Sequence, residues 1–371
     1  MTPSVLVAPG PLDSRTGGYI YDRRMVEGLR RLGRQVDVLE LDSSFPHPTP
    51  AALEHASRTL AAVRAGTITM VDSLALGPLA AIIVREASRL PVVALVHLPL
   101  AATIGLERED AARFEEDERR ALAAAARVVV TGRASLPLIA RYAVDASRVV
   151  VVEPGTDPAP LAHGSRTGPV ELLTVATLNL GKGHEMLLEA LSAVSDSAWR
   201  LTCAGSLTRD PATAARVRAT AARLQLENRV TFTGDLDRRA LAACYDRADV
   251  AVLATRQETY GMAVAEALAH GLPVVATMTG AIPDLVGDDA GLLVPVGDTA
   301  ALTAALARVL GDSGLRARLA EGARRRRDRL PTWDDAARVM STALDRVRGS
   351  GVIFRGHFPY DPTGDGSVLE K

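Results

Sequence analysis

The sequence predicts an α/β protein of two Rossmann-like, doubly wound domains facing each other across a cleft. Three observations carry this. Apolar strand-like runs alternate with helix-like segments from end to end. A stretch dense in proline and glycine, Pro154-Gly155-Thr156-Asp157-Pro158-Ala159-Pro160, breaks that rhythm near mid-chain and marks a linker. Each half opens with a strand, a glycine-bearing turn and a helix. At 371 residues the chain is too long for one ordinary core and fits two, for which a hydrophobic content of 47% suffices.

The elements follow in order. Ser4 to Ala8 is an apolar strand, followed by a loop holding Gly17-Gly18 and a helix from about Tyr19 to Leu32. Gln35–Leu41 alternates as a second strand. Helical patches near Ala51–Arg64 and Leu79–Arg89 flank a third strand, Thr67–Asp72. Pro91–His97 and Arg127–Thr131 complete the first sheet, with the charged, Ala-rich helix Glu107–Ala126 between them. Arg148–Glu153 then runs into the linker.

The second half restarts with strand Val170–Thr177, a glycine turn and a helix from Lys182. Strand Trp199–Ala204, a helix near Pro211–Leu224, strand Val230–Thr233, helix Asp237–Arg247 and strand Val250–Ala254 follow. After a helix carrying Glu266 come strand Pro273–Ala276, the loop Thr279–Gly287 and the short strand Gly291–Val294. Helices Thr299–Leu310 and Gly314–Arg329 lead to Trp333–Arg348. The domains therefore read as residues 1–155 and 156–331, a closing helix over 332–348, and a poorly ordered tail, 349–371, rich in Gly, Pro and Asp.

Composition excludes several classes. Lys+Arg 43 against Asp+Glu 44 leaves a net charge of −1, which argues against a dedicated nucleic-acid binder. The densest basic run, Arg324–Arg327, reads first as a solvated helix face and second as a weak membrane or anionic-partner patch. Cys203 and Cys244 read as small core residues, and no His/Cys cluster has metal-ligand spacing, so no metal is expected. The N-terminus shows no basic leader, and no apolar run reaches the ~20 residues needed to span a bilayer. A cytoplasmic protein is expected.

Ala251–Gly271, AVLATRQETYGMAVAEALAHG, is the most informative segment. A buried run, Asp249–Leu253, ends in a polar loop that holds Glu258 and Gly261 and opens a helix carrying Glu266. A helix N-terminus attracts anions because its first amides lack partners and its dipole is positive there. Gly261 has no side chain to block that end. Glu266 lies about one and a half turns inside, roughly 8 Å further on. A diphosphate on the helix end, with a carboxylate on either side gripping hydroxyls, suits a sugar nucleotide. Spacing alone is weak support; the strand, loop, glycine and helix around it strengthen the reading. Nearly every basic residue is Arg, and the only lysines are Lys182 and Lys371. Lys acts on phosphate as a compact point charge, which singles out Lys182 in Leu180-Gly181-Lys182-Gly183-His184.

These residues resemble retaining glycosyltransferase family 4, whose members have the GT-B fold. The resemblance rests on Gly181-Lys182-Gly183, Val230-Thr231-Phe232-Thr233-Gly234, the Glu258/Glu266 pair and Gly291-Leu292-Leu293-Val294-Pro295, in matching order across roughly Val170–Val296. The first half matches more loosely, through Gly17-Gly18, His97 and Val128–Thr131 leading to Pro154-Gly155. The resemblance implies a closing helix from Thr332-Trp333-Asp334 that crosses back to the first domain, and catalytic roles for Lys182, Glu258 and His97. Glu258 would hold donor-sugar hydroxyls beside the amides of Tyr260, Gly261 and Met262. Glu266 would accept from the ribose, and Lys182, on its turn with Gly181, would neutralise the diphosphate. Gly18 would let backbone approach phosphate or acceptor, and His97 would face the donor sugar. The implied partners are a nucleoside-diphosphate sugar donor and a small-molecule, lipid or saccharide acceptor, with no cofactor and no metal. The implied chemistry is front-face retention, in which the leaving phosphate helps deprotonate the acceptor.

Departures from the family pattern matter. Thr177 or Leu178 stands where the family usually has Arg, Leu98-Pro99 follows His97 where Asp is common, and Tyr260 replaces the usual Phe. Asp288-Asp289 reads as a structural turn, not a metal-binding pair. Two rival readings stay open: a nucleotide-sugar 2-epimerase on the same fold and a non-catalytic nucleotide-sugar binder. A nicotinamide dehydrogenase is weaker, because Gly10 and Gly17-Gly18 do not make GxGxxG.

Overall fold

The computed structural model describes residues 2–194 and 197–347; the tail expected from Gly349 lies outside them, as does Arg348. The chain folds around two six-stranded parallel sheets. The first comprises β1 Ser4–Pro9, β2 Val36–Leu41, β3 Ile68–Asp72, β4 Val92–Val96, β5 Arg127–Val130 and β6 Val149–Val151, in the order β2-β1-β3-β4-β5-β6. The second comprises β7 Val170–Val175, β8 Trp199–Ala204, β9 Val230–Gly234, β10 Val250–Leu253, β11 Val274–Thr277 and β12 Gly291–Val294, in the order β12-β11-β10-β7-β8-β9. Helices cover both faces, so central strands such as β4 (VVALV) and β10 (VAVL) are apolar and buried at every position.

Strand order reverses between β1 and β3 in the first sheet and between β7 and β10 in the second. Loops leaving adjacent strands at such a point diverge to opposite faces and open a crevice at the strands' carboxyl ends. The turn bearing Lys182 follows β7, and the loop bearing Glu258 and Gly261 follows β10. In the first sheet the helix Gly17–Arg31 follows β1, Asp72 ends β3 and His97 follows β4.

The closing helix Trp333–Asp345 starts with a reciprocal Thr332/Asp335 capping box. It packs into the first domain, where Trp333, Ala336, Met340 and Leu344 join Leu6, Tyr21, Met25 and Leu29 in one buried cluster. Arg34 is 3% exposed and ties this helix down, donating from Nε to Ser341 Oγ at 2.7 Å and pairing with Asp345. The linker joins in, since the Thr156 amide donates to the Pro331 carbonyl at 2.8 Å.

Four details differ from the sequence reading. The first sheet does not end at β5, because Val149–Val151 adds a sixth strand at its edge; three valines beside a proline-rich linker are too short to show a period. The helix expected from Lys182 begins at His184 instead: Leu180–Lys182 is a single 3₁₀ turn, and Gly183 adopts a left-handed φ of +66° before the helix. The loop expected over Thr279–Gly287 contains a short helix, Ile282–Val286, with Pro283 in its first turn. The Arg324–Arg327 run is more than a solvated face. Arg325 and Arg326 pair with Asp289 at 2.9 and 3.2 Å, and Arg327 donates to the linker carbonyl of Ala159 at 2.9 Å. Asp289 is thereby structural, as its turn suggested. Cys203 and Cys244 are free and buried.

Candidate active site

Gly261 immediately precedes the helix Met262–Ala269 with φ +101°, and no side chain caps the helix start. An L side chain would be strained at that φ, and its Cβ would press to 3.1 Å from Ile282 Cγ1. The bare helix end is therefore a consequence of Gly261. Lys182 and Glu258 reach the same place from opposite sides of the strand-order reversal, with Nζ 2.6 Å from Oε2 and both groups half-buried. Backbone bonds join their loops: the Arg256 amide donates to the Gly181 carbonyl at 2.7 Å, and Thr255 Oγ1 donates to the same oxygen at 3.0 Å.

Glu266 projects from the helix and accepts from the Tyr245 hydroxyl at 2.8 Å. Burial raises its carboxyl above the usual range, against the pull of that hydroxyl. Tyr245 stacks on His270, with centroids 4.7 Å apart and planes 10° apart. Sequence reasoning missed Tyr245, which reads as an ordinary buried aromatic of the helix Arg238–Arg247. Tyr260 is 3% exposed and packs with Ala265 and Ala281, and its buried hydroxyl has no partner among the described residues.

The opposing wall comes from the first domain and touches this one. Thr131 Oγ1 lies 3.5 Å from Thr259 Oγ1, and Gly132 packs against the Thr259 carbonyl. Gly17 faces the Met262 sulfur, and Gly18 is held against the His97 ring, where a Cβ would come 3.1 Å from Cδ2. The structure thus brings Gly18 and His97 together and sets them opposite the start of the helix bearing Met262.

His97 has partners the sequence did not reveal. Its Nε2 is 3.1 Å from Asp22 Oδ1 and 3.1 Å from Asp72 Oδ2, and Tyr21 meets its ring edge-on at 5.2 Å. Burial by itself would lower the imidazole pKa; the two carboxylates, Asp22 foremost, outweigh it and raise it to about 10. Burial raises Asp22 to about 7, against the favourable charge of His97. The available signal was Asp22 one helical turn beyond Gly18, on the face that turns inward.

No Arg side chain follows β7 where Thr177 and Leu178 stand. Two arginines come near from other loops. Arg256 is exposed beside Glu258, and Arg209, after β8, stacks over the Tyr19 ring at 5.4 Å across the cleft.

Two facing Rossmann-like domains, with an uncapped helix end at the crevice of the second, define the class: a protein of the GT-B fold. Residues 158–326 match the family described as glycosyl transferases group 1. Among curated proteins the chain is similar to the D-inositol 3-phosphate glycosyltransferase of Xylanimonas cellulosilytica, 33% identical over 62% of this chain and 59% of that protein. It is also similar to a Mycobacterium tuberculosis glycogen synthase, 34% identical over 48% of this chain and 44% of that protein. The chain thus spans about three fifths of the first relative's length and less than half of the second's. Of solved structures, the sucrose-phosphate synthase of Thermosynechococcus elongatus superposes with a TM-score of 0.79 at 21% identity, covering 94% of this chain and all of that one. Anabaena Alr3699/HepE, solved with UDP-glucose, gives 0.73 at 15% identity over 92% and 99%. These two likenesses establish the fold. Among the described residues no helix is long and apolar enough to cross a membrane.

Proposed function

We propose that the protein is a retaining, metal-independent glycosyltransferase that moves a sugar from a nucleoside-diphosphate sugar to a small-molecule, lipid or saccharide acceptor. The observation that carries the reading is the meeting of Lys182 and Glu258 beside the uncapped start of the helix Met262–Ala269. The group 1 match over residues 158–326 supports transfer. UDP is the first base to try, because Anabaena HepE was solved with UDP and with UDP-glucose.

In this reading the diphosphate rests on the amides of Gly261 and Met262, and Lys182 swings from Glu258 to the phosphate as donor binds. Glu258 is then free to grip sugar hydroxyls. The departing diphosphate gains negative charge in the transition state, where a fixed cation and helix amides act most strongly. Glu266, steadied by Tyr245, accepts from the ribose.

The test is incubation with UDP-, GDP- and ADP-sugars, alone and with acceptors that include an inositol phosphate and glycogen. Free nucleoside diphosphate supports transfer, sugar isomerised while still attached to nucleotide would mean an epimerase, and binding without turnover would mean a binder. Glu266→Ala is expected to raise the donor KM by about tenfold with little change in kcat, since one buried carboxylate–hydroxyl contact contributes about 1.5 kcal/mol or more. Steady-state kinetics with varied donor read this directly.

A further inference from the structure

The least explained feature of the first domain is the trio Asp22, Asp72 and His97 at the carboxyl edge of its sheet. Asp22 and Asp72 are 1% and 3% exposed. Asp72 is held independently of the histidine, because its Oδ1 accepts from the Leu74 amide at 2.7 Å and caps the short helix Ser73–Leu76. Its other oxygen is thereby aimed at His97. Asp22 reaches the same Nε2 from the helix Gly17–Arg31, and its second oxygen is buried without a hydrogen-bond partner among the described residues. Both carboxylates thus converge on one ring nitrogen. The other, Nδ1, has no partner among the described residues, and the side chain keeps 17% exposure. Gly18 packs against the ring at Cδ2, and Tyr21 meets the ring edge-on.

A neutral imidazole with hydrogen on Nε2 would offer Nδ1 only as an acceptor. Carboxylate charge on Nε2 favours the doubly protonated ring, whose Nδ1–H is a charged donor. The ring itself belongs to the wall opposite Met262, since Gly18 packs against its Cδ2 and Gly17, beside Gly18, faces the Met262 sulfur.

We propose that Asp22 and Asp72 are positioning residues that clamp Nε2 of His97 and hold the ring as a cation, so that its Nδ1–H donates to an oxygen of the sugar diphosphate opposite the helix end. The proposal rests on the donor reading above for the identity of the ligand, but the clamp exists without it. The charged and titratable groups around the ring are Asp22, Asp72 and Tyr21, with Tyr19 and Arg209 beyond them.

The decisive measurement is an imidazole NMR pH titration of the ligand-free full-length protein, with the His97 signal among the seven histidines assigned through His97→Gln. His97 is expected to stay charged beyond pH 8, well above the ordinary value near 6.5. Asp72→Asn and Asp22→Asn, the second of which spares the cap of Ser73–Leu76, are each expected to bring it down by a unit or more. A wild-type His97 that loses its proton near pH 6.5 overturns the clamp, whatever the variants do. So does stoichiometric binding of Mn²⁺ or Zn²⁺ that Asp72→Asn abolishes, since the three ligand atoms lie within 4.8 Å of one another. UDP-glucose affinity then reads the consequence. Asp72→Asn should weaken it about tenfold at pH 8.5 and little at pH 6, as loss of a charged hydrogen bond would; an equal loss at both values would mean structural damage and overturn the donor role. The titration needs no donor, so failure of UDP-glucose to bind wild type would count against the transferase reading and leave the clamp decided by NMR.

Discussion

Replacing Lys182 by alanine is expected to lower kcat by 10²–10³-fold, on the order of 3 kcal/mol, with a much smaller change in donor KM. The ammonium is placed where leaving-group charge appears, and its aid grows as the bond to the diphosphate breaks. The variant also leaves Glu258 half-buried without its 2.6 Å partner, so that carboxylate repels the diphosphate it formerly balanced. Both effects act in the same direction. Lys182→Arg is the informative companion, because it restores charge but replaces a compact ammonium with a planar fork. It should recover part of the lost rate if charge dominates and little if the fit to phosphate does. Single-turnover kinetics, measured as nucleoside diphosphate release, separate the chemical step from binding. Wild-type rates in Lys182→Ala would sink the site.

Gly155→Ala is expected to be strongly destabilising for a single added methyl, costing on the order of 3 kcal/mol. Gly155 is buried where the linker passes the start of the closing helix, and a Cβ there would overlap the backbone nitrogen and Cα of Trp333 and the carbonyl carbon of Thr332. Backbone cannot rotate aside as a side chain does. Either the linker or the helix must shift, and the helix carries Trp333, Ala336, Met340 and Leu344 into the first core. Gly311→Ala is the control, with nothing within 4 Å and an ordinary φ at the end of the helix Thr299–Gly311. It should be neutral or slightly stabilising. Paired thermal unfolding scans decide this, and equal midpoints for the two variants would refute the packing argument.

Much of the architecture was legible because parallel sheets write themselves plainly. A strand covered on both faces must be apolar throughout, so β4 and β10 stand out as short Val-rich runs. Elements that escaped notice were those too short to show a period, Val149–Val151 and Ile282–Val286. The helix start at His184 escaped because a left-handed glycine and a 3₁₀ turn look, in letters, like the first turn of a helix.

The candidate site divides along the same line. Glu258, Gly261 and Glu266 sit on one continuous segment, so strand, loop and helix could be placed from local pattern and known rise per residue. The partnership of Lys182 with Glu258 spans 76 positions, and it exists because β7 and β10 are neighbours where strand order reverses. His97, Asp22 and Asp72 come from three separate elements. Nothing in their spacing announces that one ring nitrogen will face two carboxylates, and no local rule says that Tyr245 will hold Glu266. Chain chemistry thus dictated which segments are strands, which helix end is bare and where an ammonium was retained. Pairing order and the closeness of side chains remote in sequence belong to the folded molecule alone, because burial and electrostatics act through space and a linear pattern records only neighbours along the backbone.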